Sequence, residues 1–166
     1  MWGLMPDSKP RSTRPQFRLV RQQGHTLVEF AFVTVIFLTV LFGITEFSRA
    51  LWTWNALVHA TREGARYAVV SSTTDTEIKK YVVYHDPAGS GTPVVAGLSE
   101  SQVTVQYLMN DGTPAVNKLT ADMVQVGINE YTFDFLVPLF GPGLTLGTPT
   151  QPFFKTTLPL EGLGAN

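Results

Sequence analysis

Cysteine is absent from the 166-residue chain, which excludes disulfides, thiolate metal sites, cysteine nucleophiles and a lipidated N-terminal cysteine. Charged residues are also scarce, at 15% of the chain, and they are unevenly distributed. Residues 1–24 hold 5 basic residues and 1 acidic residue, so the remainder holds 12 − 5 = 7 basic and 13 − 1 = 12 acidic residues. A remainder with net negative charge lacks the basic surface that nucleic acids require, and we expect no nucleic-acid partner.

One long apolar run is present, from Leu27 to Ile44, and Glu29 is its only charged residue. Its length is close to the ~20 residues that a membrane-spanning helix needs, so membrane lipid is an expected partner. Because Lys and Arg concentrate on the cytoplasmic side of such spans, the basic leader at residues 1–24 predicts a cytoplasmic N-terminus. The run is long for a secretory signal, and no small-residue cleavage site follows it.

The helical pattern continues beyond the span, which is assigned to residues 25–45, through residues 46–70. Apolar residues recur at steps of three or four, which predicts one helical face packed on the rest of the domain. This face includes Phe47, Leu51, Trp54, Leu57 and Val58. The opposite face is predicted to be solvated or to contact a partner, and it carries Glu46, Arg49, Asn55, Arg62, Glu63 and Arg66.

Residues 71–166 are predicted to form an extracytoplasmic domain. Residues 71–75, Ser-Ser-Thr-Thr-Asp, should end the long helix and cap a short helix over 76–84. Alternating residues predict strands at 101–108, 123–133 and 153–159. Prolines place the third strand at an edge of the sheet, and the glycine-rich segment 141–147 is typical of a turn. The expected fold class is α+β, with a long N-terminal transmembrane and amphipathic helix packed on a small antiparallel sheet.

No residue pattern indicates catalysis. His59 and Glu63 have a metal-ligand spacing on a helix, but no third His or Cys lies near them in sequence, so surface pairing is favoured. Ser71 and Ser72 have no adjacent base. We therefore expect no enzyme activity, no metal and no cofactor. Of the tryptophans after the span, Trp52 is assigned to an interfacial belt and Trp54 to the core.

The start of the apolar run carries a recognisable spacing. Gly24 precedes His25, Glu29 is the fifth residue after the glycine, and Phe30 is the sixth. This arrangement resembles the processing site of type IV prepilins, with the Glu-aromatic step of the Tad/Flp pilus proteins. The resemblance implies peptidase cleavage between Gly24 and His25 on the cytoplasmic face, and roles for Glu29 and Phe30 in assembly.

Two further motifs lie downstream at fitting distances. Glu46 and Arg49 belong to an acid-aromatic-small-Arg step, and residues 60–68 read Ala-Thr-Arg-Glu-Gly-Ala-Arg-Tyr-Ala. From Gly24 to Val70 the chain therefore resembles the TadE-like pseudopilins of the Tad/Flp pilus system, which implies a pilin-like fold. Arg62, Glu63, Arg66 and Tyr67 join Glu46 and Arg49 as candidate subunit contacts, although residues 62–67 could equally serve helix packing.

The resemblance implies a minor pseudopilin that acts in assembly or initiation of a Tad/Flp-type pilus. The expected partners are a prepilin peptidase, other pilin or pseudopilin subunits and the pilus assembly platform. The expected location is the inner membrane, with a single pass and a periplasmic C-terminal domain, and incorporation into an extracellular pilus stays open. The alternative is an uncleaved single-pass anchor that carries a periplasmic binding or scaffold domain.

Overall fold

The computed structural model describes residues 23–137, 141, 143–148 and 150–160. Residues 1–22 of the predicted leader lie outside this set, as do residues 138–140 of the apolar segment after the second predicted strand. The chain divides into two compact units, Met1–Val40 and Leu41–Asn166. The first unit contributes the beginning of helix α1, and the second contains every other described element.

Helix α1 runs without interruption from Gln23 to Val70, in agreement with a sequence that has no proline between these positions. Its C-terminal carbonyls would lack intrahelical partners. Lys118, in a short 3-10 turn at Lys118–Thr120, lies at this end and donates from Nζ to the carbonyl oxygens of Ala68 and Ser71, at 2.6 Å each. A cation at a helix C-terminus also interacts favourably with the helix dipole.

Helix α2, Asp75–Tyr84, begins with a capping box, as the threonine-rich sequence before it predicts. The side chain of Thr74 accepts from the backbone N–H of Glu77, whose carboxylate accepts from the N–H of Thr74. The helix buries Ile78, Val82 and Val83.

The main sheet is antiparallel and has the strand order β1-β2-β5, formed by Val103–Leu108, Met123–Ile128 and Phe154–Pro159. The central strand contributes Val124, Val126 and Ile128 to the core, all with no exposed surface. Strand β5 lies at an edge, which confirms the position predicted from its prolines.

The prediction of one continuous strand over 123–133 is wrong. The strand ends at Ile128, and Glu130 adopts a left-handed backbone conformation with φ of 50°. After this turn the chain forms strand β3, Tyr131–Phe133, which pairs with strand β4, Leu144–Leu146, in a separate two-stranded sheet. Strand β4 lies in the segment that was predicted to be only a turn.

Within the second unit, the C-terminal part of α1 packs on the main sheet, which confirms the α+β fold class. Leu57, Ala60, Ala65 and Ala68 have no exposed surface. The hydroxyl oxygens of Thr61 on α1 and Thr156 on β5 lie 3.1 Å apart, so a hydrogen bond joins the helix to the edge strand.

The predicted apolar face of the helix is only partly buried. Trp54 is 44% exposed, although its ring packs edge-on against that of Phe154 with the centroids 4.9 Å apart. Val58 is half-buried, whereas Phe47 and Leu51 are exposed. The contact with the main three-stranded sheet therefore begins at about Trp54, and the helix between the span and this residue keeps exposed apolar side chains.

Candidate functional site

The residues of the predicted processing site lie in the first turns of α1. Gly24, His25, Glu29 and Phe30 are all exposed. A side chain placed on Gly24 would meet no described atom within 4 Å, so packing among the described residues does not require a glycine here. Processing at Gly24 therefore stays a prediction from the sequence.

The helix that follows is apolar and uncovered. It is the one described helix that is long and apolar enough to cross a membrane, and its most apolar 18-residue window has no buried residue. Large side chains such as those of Leu27, Phe32 and Ile36 are more than 60% exposed. A large exposed apolar surface of this kind marks a site of contact with a membrane or with another protein. Glu29 is the one carboxylate on it.

Glu46 does not lie on a solvated face, and that part of the sequence-based assignment is wrong. It is only 5% exposed, because the segment that follows β3 lies against this turn of the helix. Its Oε1 accepts a hydrogen bond from the backbone N–H of Val137 at 2.8 Å, and its Oε2 lies 2.6 Å from Nη1 of Arg49. The carboxylate therefore joins the helix to the segment after β3.

Arg49 extends the same cluster towards the two-stranded sheet. Its guanidinium carbon lies 5.1 Å from the centre of the Phe133 ring, and Nη2 lies 3.5 Å from the carbonyl oxygen of Asp134. The acid-aromatic-small-Arg step is thus an internal attachment in this structure. The contributions of Asp134 and Val137 could not be read from the sequence, because they come from backbone atoms that lie 85 to 91 residues further along the chain.

The block at residues 62–67 divides into two faces. Gly64 and Ala65 are buried, and an ideal Cβ on Gly64 would lie only 2.2 Å from Cγ2 of Val82, so helix α2 packs directly on the glycine. Tyr67 stacks on Tyr81 with the ring centroids 4.3 Å apart.

The remaining residues of the block point away from this contact. Arg62 and Arg66 are exposed and Glu63 is half-buried, so these three side chains stay available to a partner. The packing interpretation therefore applies to the face with Gly64 and Ala65, and contact with another subunit stays a prediction for the other face.

A polar link at the surface joins α2 to β1, outside these motifs. The hydroxyl of Tyr107 donates to Oδ1 of Asp75 at 2.7 Å. Partial burial raises the pKa of Tyr107 well above its usual range. The hydrogen bond to Asp75 and the negative charge of that carboxylate raise the pKa further. Among residues 23–137 and the described parts beyond them, no three His, Asp or Glu side chains converge on a point where they could hold a metal ion.

Comparison with known families returns one match. The family model described as TadE-like protein matches residues 24–66, a segment that contains Gly24, Glu29, Glu46, Arg49 and the start of the Arg-Glu-Gly-Ala-Arg-Tyr block. No curated protein and no solved structure matches the chain significantly. The match confirms the resemblance inferred from the motifs: the chain carries a TadE-like segment at residues 24–66 and is consistent with a TadE-like protein of the Tad pilus system.

Proposed function

We propose that this protein is a minor pseudopilin that takes part in assembly or initiation of a Tad/Flp-type pilus. The TadE-like match indicates a pilus-associated protein, and α1 is long and apolar enough for a single membrane pass. The finer proposal adds processing by a prepilin peptidase, contact with other pilin subunits and the assembly platform, and a structural rather than catalytic role.

The observation that carries the proposal is the exposed carboxylate of Glu29 on the exposed apolar helix. An ionised carboxylate at the centre of a spanning helix costs on the order of 2.5–3.5 kcal/mol, and less near the interface. Among the described residues, the side chain of Glu29 is exposed. A partner outside the chain therefore accounts best for an acid at this position.

Processing would create that partner. Cleavage after Gly24 gives His25 a free α-amine, which is largely cationic at neutral pH. In a bundle of parallel helices at slightly different depths, this amine of one subunit reaches the Glu29 carboxylate of its neighbour. Pairing the two charges offsets part of the cost of holding each of them near lipid.

The charge distribution supports an orientation. Basic minus acidic residues give the leader a formal charge of 5 − 1 = +4 and the remainder a formal charge of 7 − 12 = −5. We propose an inner-membrane protein with its N-terminus in the cytoplasm and residues 46–166 in the periplasm. Cleavage then takes place on the cytoplasmic face, and the sheet domain stands outside.

Replacement of Glu29 by valine tests the role of the carboxylate. The variant should insert in the membrane and keep the thermal stability of its sheet domain, since the span only becomes more apolar. It should fail to co-purify with other pilins and fail to restore pili in a strain that lacks the gene. Glu29→Gln separates charge from polarity and should fail in the same way.

Thr39→Val is the matched control within the span. It also removes a polar group, but the Thr39 hydroxyl donates to the carbonyl oxygen of Val35 one turn earlier, so it is satisfied within its own helix. This variant should support normal piliation. Normal piliation by Glu29→Val would contradict the proposed pairing and would favour the uncleaved anchor with a periplasmic binding or scaffold domain.

A further inference from the structure

An exposed leucine lies beside the helix where the span ends. Leu136 is 73% exposed, although the residue after it is fixed to α1 by the hydrogen bond from the Val137 N–H to Glu46. Two residues earlier, the carbonyl oxygen of Asp134 lies near Arg49. Residues 134–137, the juxtamembrane loop, are therefore attached to the helix through Glu46 and Arg49, and Leu136 projects from this attachment.

The helix fixes the level of this loop relative to the end of the apolar run. Glu46 follows Ile44 by two residues, which at ~1.5 Å per residue places it about 3 Å beyond the run. A bilayer adds roughly 5–7 Å of headgroup region to each side of its ~30 Å hydrocarbon core. For a point on the helix axis, tilt shortens this distance along the membrane normal. The juxtamembrane loop consequently falls within the headgroup layer.

Other exposed apolar side chains occur at the same level. Leu41, Phe42 and Ile44, at the end of the span, are 42–60% exposed, and Phe47 just beyond it is 65% exposed. The helix therefore carries exposed apolar side chains on either side of the level of Glu46.

A second leucine is more exposed than Leu136 but lies at a different level along the helix. Leu119 is 96% exposed, but its neighbour Lys118 is bonded to Ala68 and Ser71 at the far end of α1. Ala68 follows Glu46 by 22 residues, or ~33 Å along the helix. Leu119 therefore lies far beyond any headgroup layer, and of these two leucines Leu136 is the one that has both the exposure and the level.

We propose that the juxtamembrane loop inserts Leu136 into the outer headgroup layer of the membrane. The sheet domain then has two attachments to the lipid surface, the spanning helix and this loop, and the second one restricts rotation and tilt of the domain about the first. The inference requires the membrane span but does not depend on processing or on a pilus.

Site-directed labelling tests the proposal on the full-length chain. Because the chain has no cysteine, each of the variants Leu136→Cys, Leu119→Cys and Ile36→Cys carries a single thiol for a fluorophore. The proteins are reconstituted in phosphatidylcholine vesicles that contain a lipid with a nitroxide near its headgroup. Quenching by this lipid reports proximity to the interface, and quenching by iodide reports access from water.

At Leu136→Cys, the label should be quenched by the nitroxide lipid several-fold more than at Leu119→Cys, and several-fold less by iodide. A second lipid, with its nitroxide deep in the acyl chain, should quench the label at Ile36→Cys and so verify insertion of the span. All three side chains are exposed, so the variants should retain the fold, which circular dichroism verifies.

Two results would overturn the proposal. Equal iodide access at Leu136→Cys and Leu119→Cys, with insertion verified at Ile36→Cys, would mean that the loop stands clear of the membrane. Protection from iodide at Leu136→Cys without quenching by the nitroxide lipid would mean that another protein molecule covers the loop.

Discussion

Replacing Gly64 by alanine should destabilise the sheet domain, although alanine is the better helix former. The new Cβ would lie 2.2 Å from Cγ2 of Val82, well inside the contact distance of two methyl carbons. Val82 has no exposed surface and, as a β-branched residue on a helix, it is restricted to one preferred rotamer. The clash therefore has to be relieved by separating α1 from α2.

The magnitude follows from two opposing terms. Overpacking a filled core costs typically about 1–3 kcal/mol, and replacing glycine by alanine in a helix returns about 1 kcal/mol. Gly64→Ala should thus lower the free energy of unfolding by up to ~2 kcal/mol. In a Val82→Ala background the clashing methyl is gone, and the next contacts of the new Cβ are 3.5 Å to Val126 and 3.6 Å to Cβ of residue 82, which are ordinary distances.

The effect of Gly64→Ala should therefore change sign between the two backgrounds. In Val82→Ala it should stabilise the protein by about 1 kcal/mol, which gives a coupling of roughly 1–3 kcal/mol in a double-mutant cycle. The free energies come from urea unfolding of the detergent-solubilised chain, followed by tryptophan fluorescence. Effects of Gly64→Ala that agree within about 0.5 kcal/mol in both backgrounds would refute direct packing of α2 on the glycine.

Two further predictions concern the core and its pH dependence. Leu57→Ala should cost about 2–5 kcal/mol because the side chain is completely buried, whereas Leu51→Ala, at a 48% exposed position, should change stability by no more than about 0.5 kcal/mol in the same urea assay. Folding raises the pKa of Tyr107, so the neutral Tyr107 side chain contributes to the stability of the folded state. This contribution is complete below the unfolded-state pKa of about 10 and is lost as the pH rises through the folded-state pKa. Unfolding free energy measured against pH should accordingly fall above pH ~10, and Tyr107→Phe, which cannot ionise beside Asp75, should reduce that fall.

Local sequence signals predicted the local structure well. The uninterrupted helix to Val70, the capping of α2 and the edge position of β5 follow from proline placement, capping residues and residue alternation, which all act within a few residues. The β-branched and aromatic residues of 123–133 have this same alternation, but it gives no sign of the left-handed residue Glu130 that divides them.

The remaining errors depend on contacts between distant parts of the chain. Strand β4 is only three residues long, which is too short for a clear alternation pattern. Its strand conformation depends on pairing with β3, which the local sequence does not reveal. The sequence around Glu46 predicts an exposed acid on the helix surface. Glu46 is buried because the segment that contains Val137 packs against this turn of the helix. For the candidate site, the motifs singled out residues of the TadE-like segment, but they gave no sign of which of these residues face inward.

The most direct test of the proposed function is the intact mass of the protein purified from the membranes of cells with an active prepilin peptidase. Cleavage between Gly24 and His25 predicts a chain of 166 − 24 = 142 residues that begins at His25. Replacement of Gly24 by arginine should leave the precursor uncut, and packing among the described residues leaves room for the larger side chain. A full-length mass for the unmodified chain in such cells would contradict the account, whereas a mass that corresponds to a start at His25 would support it.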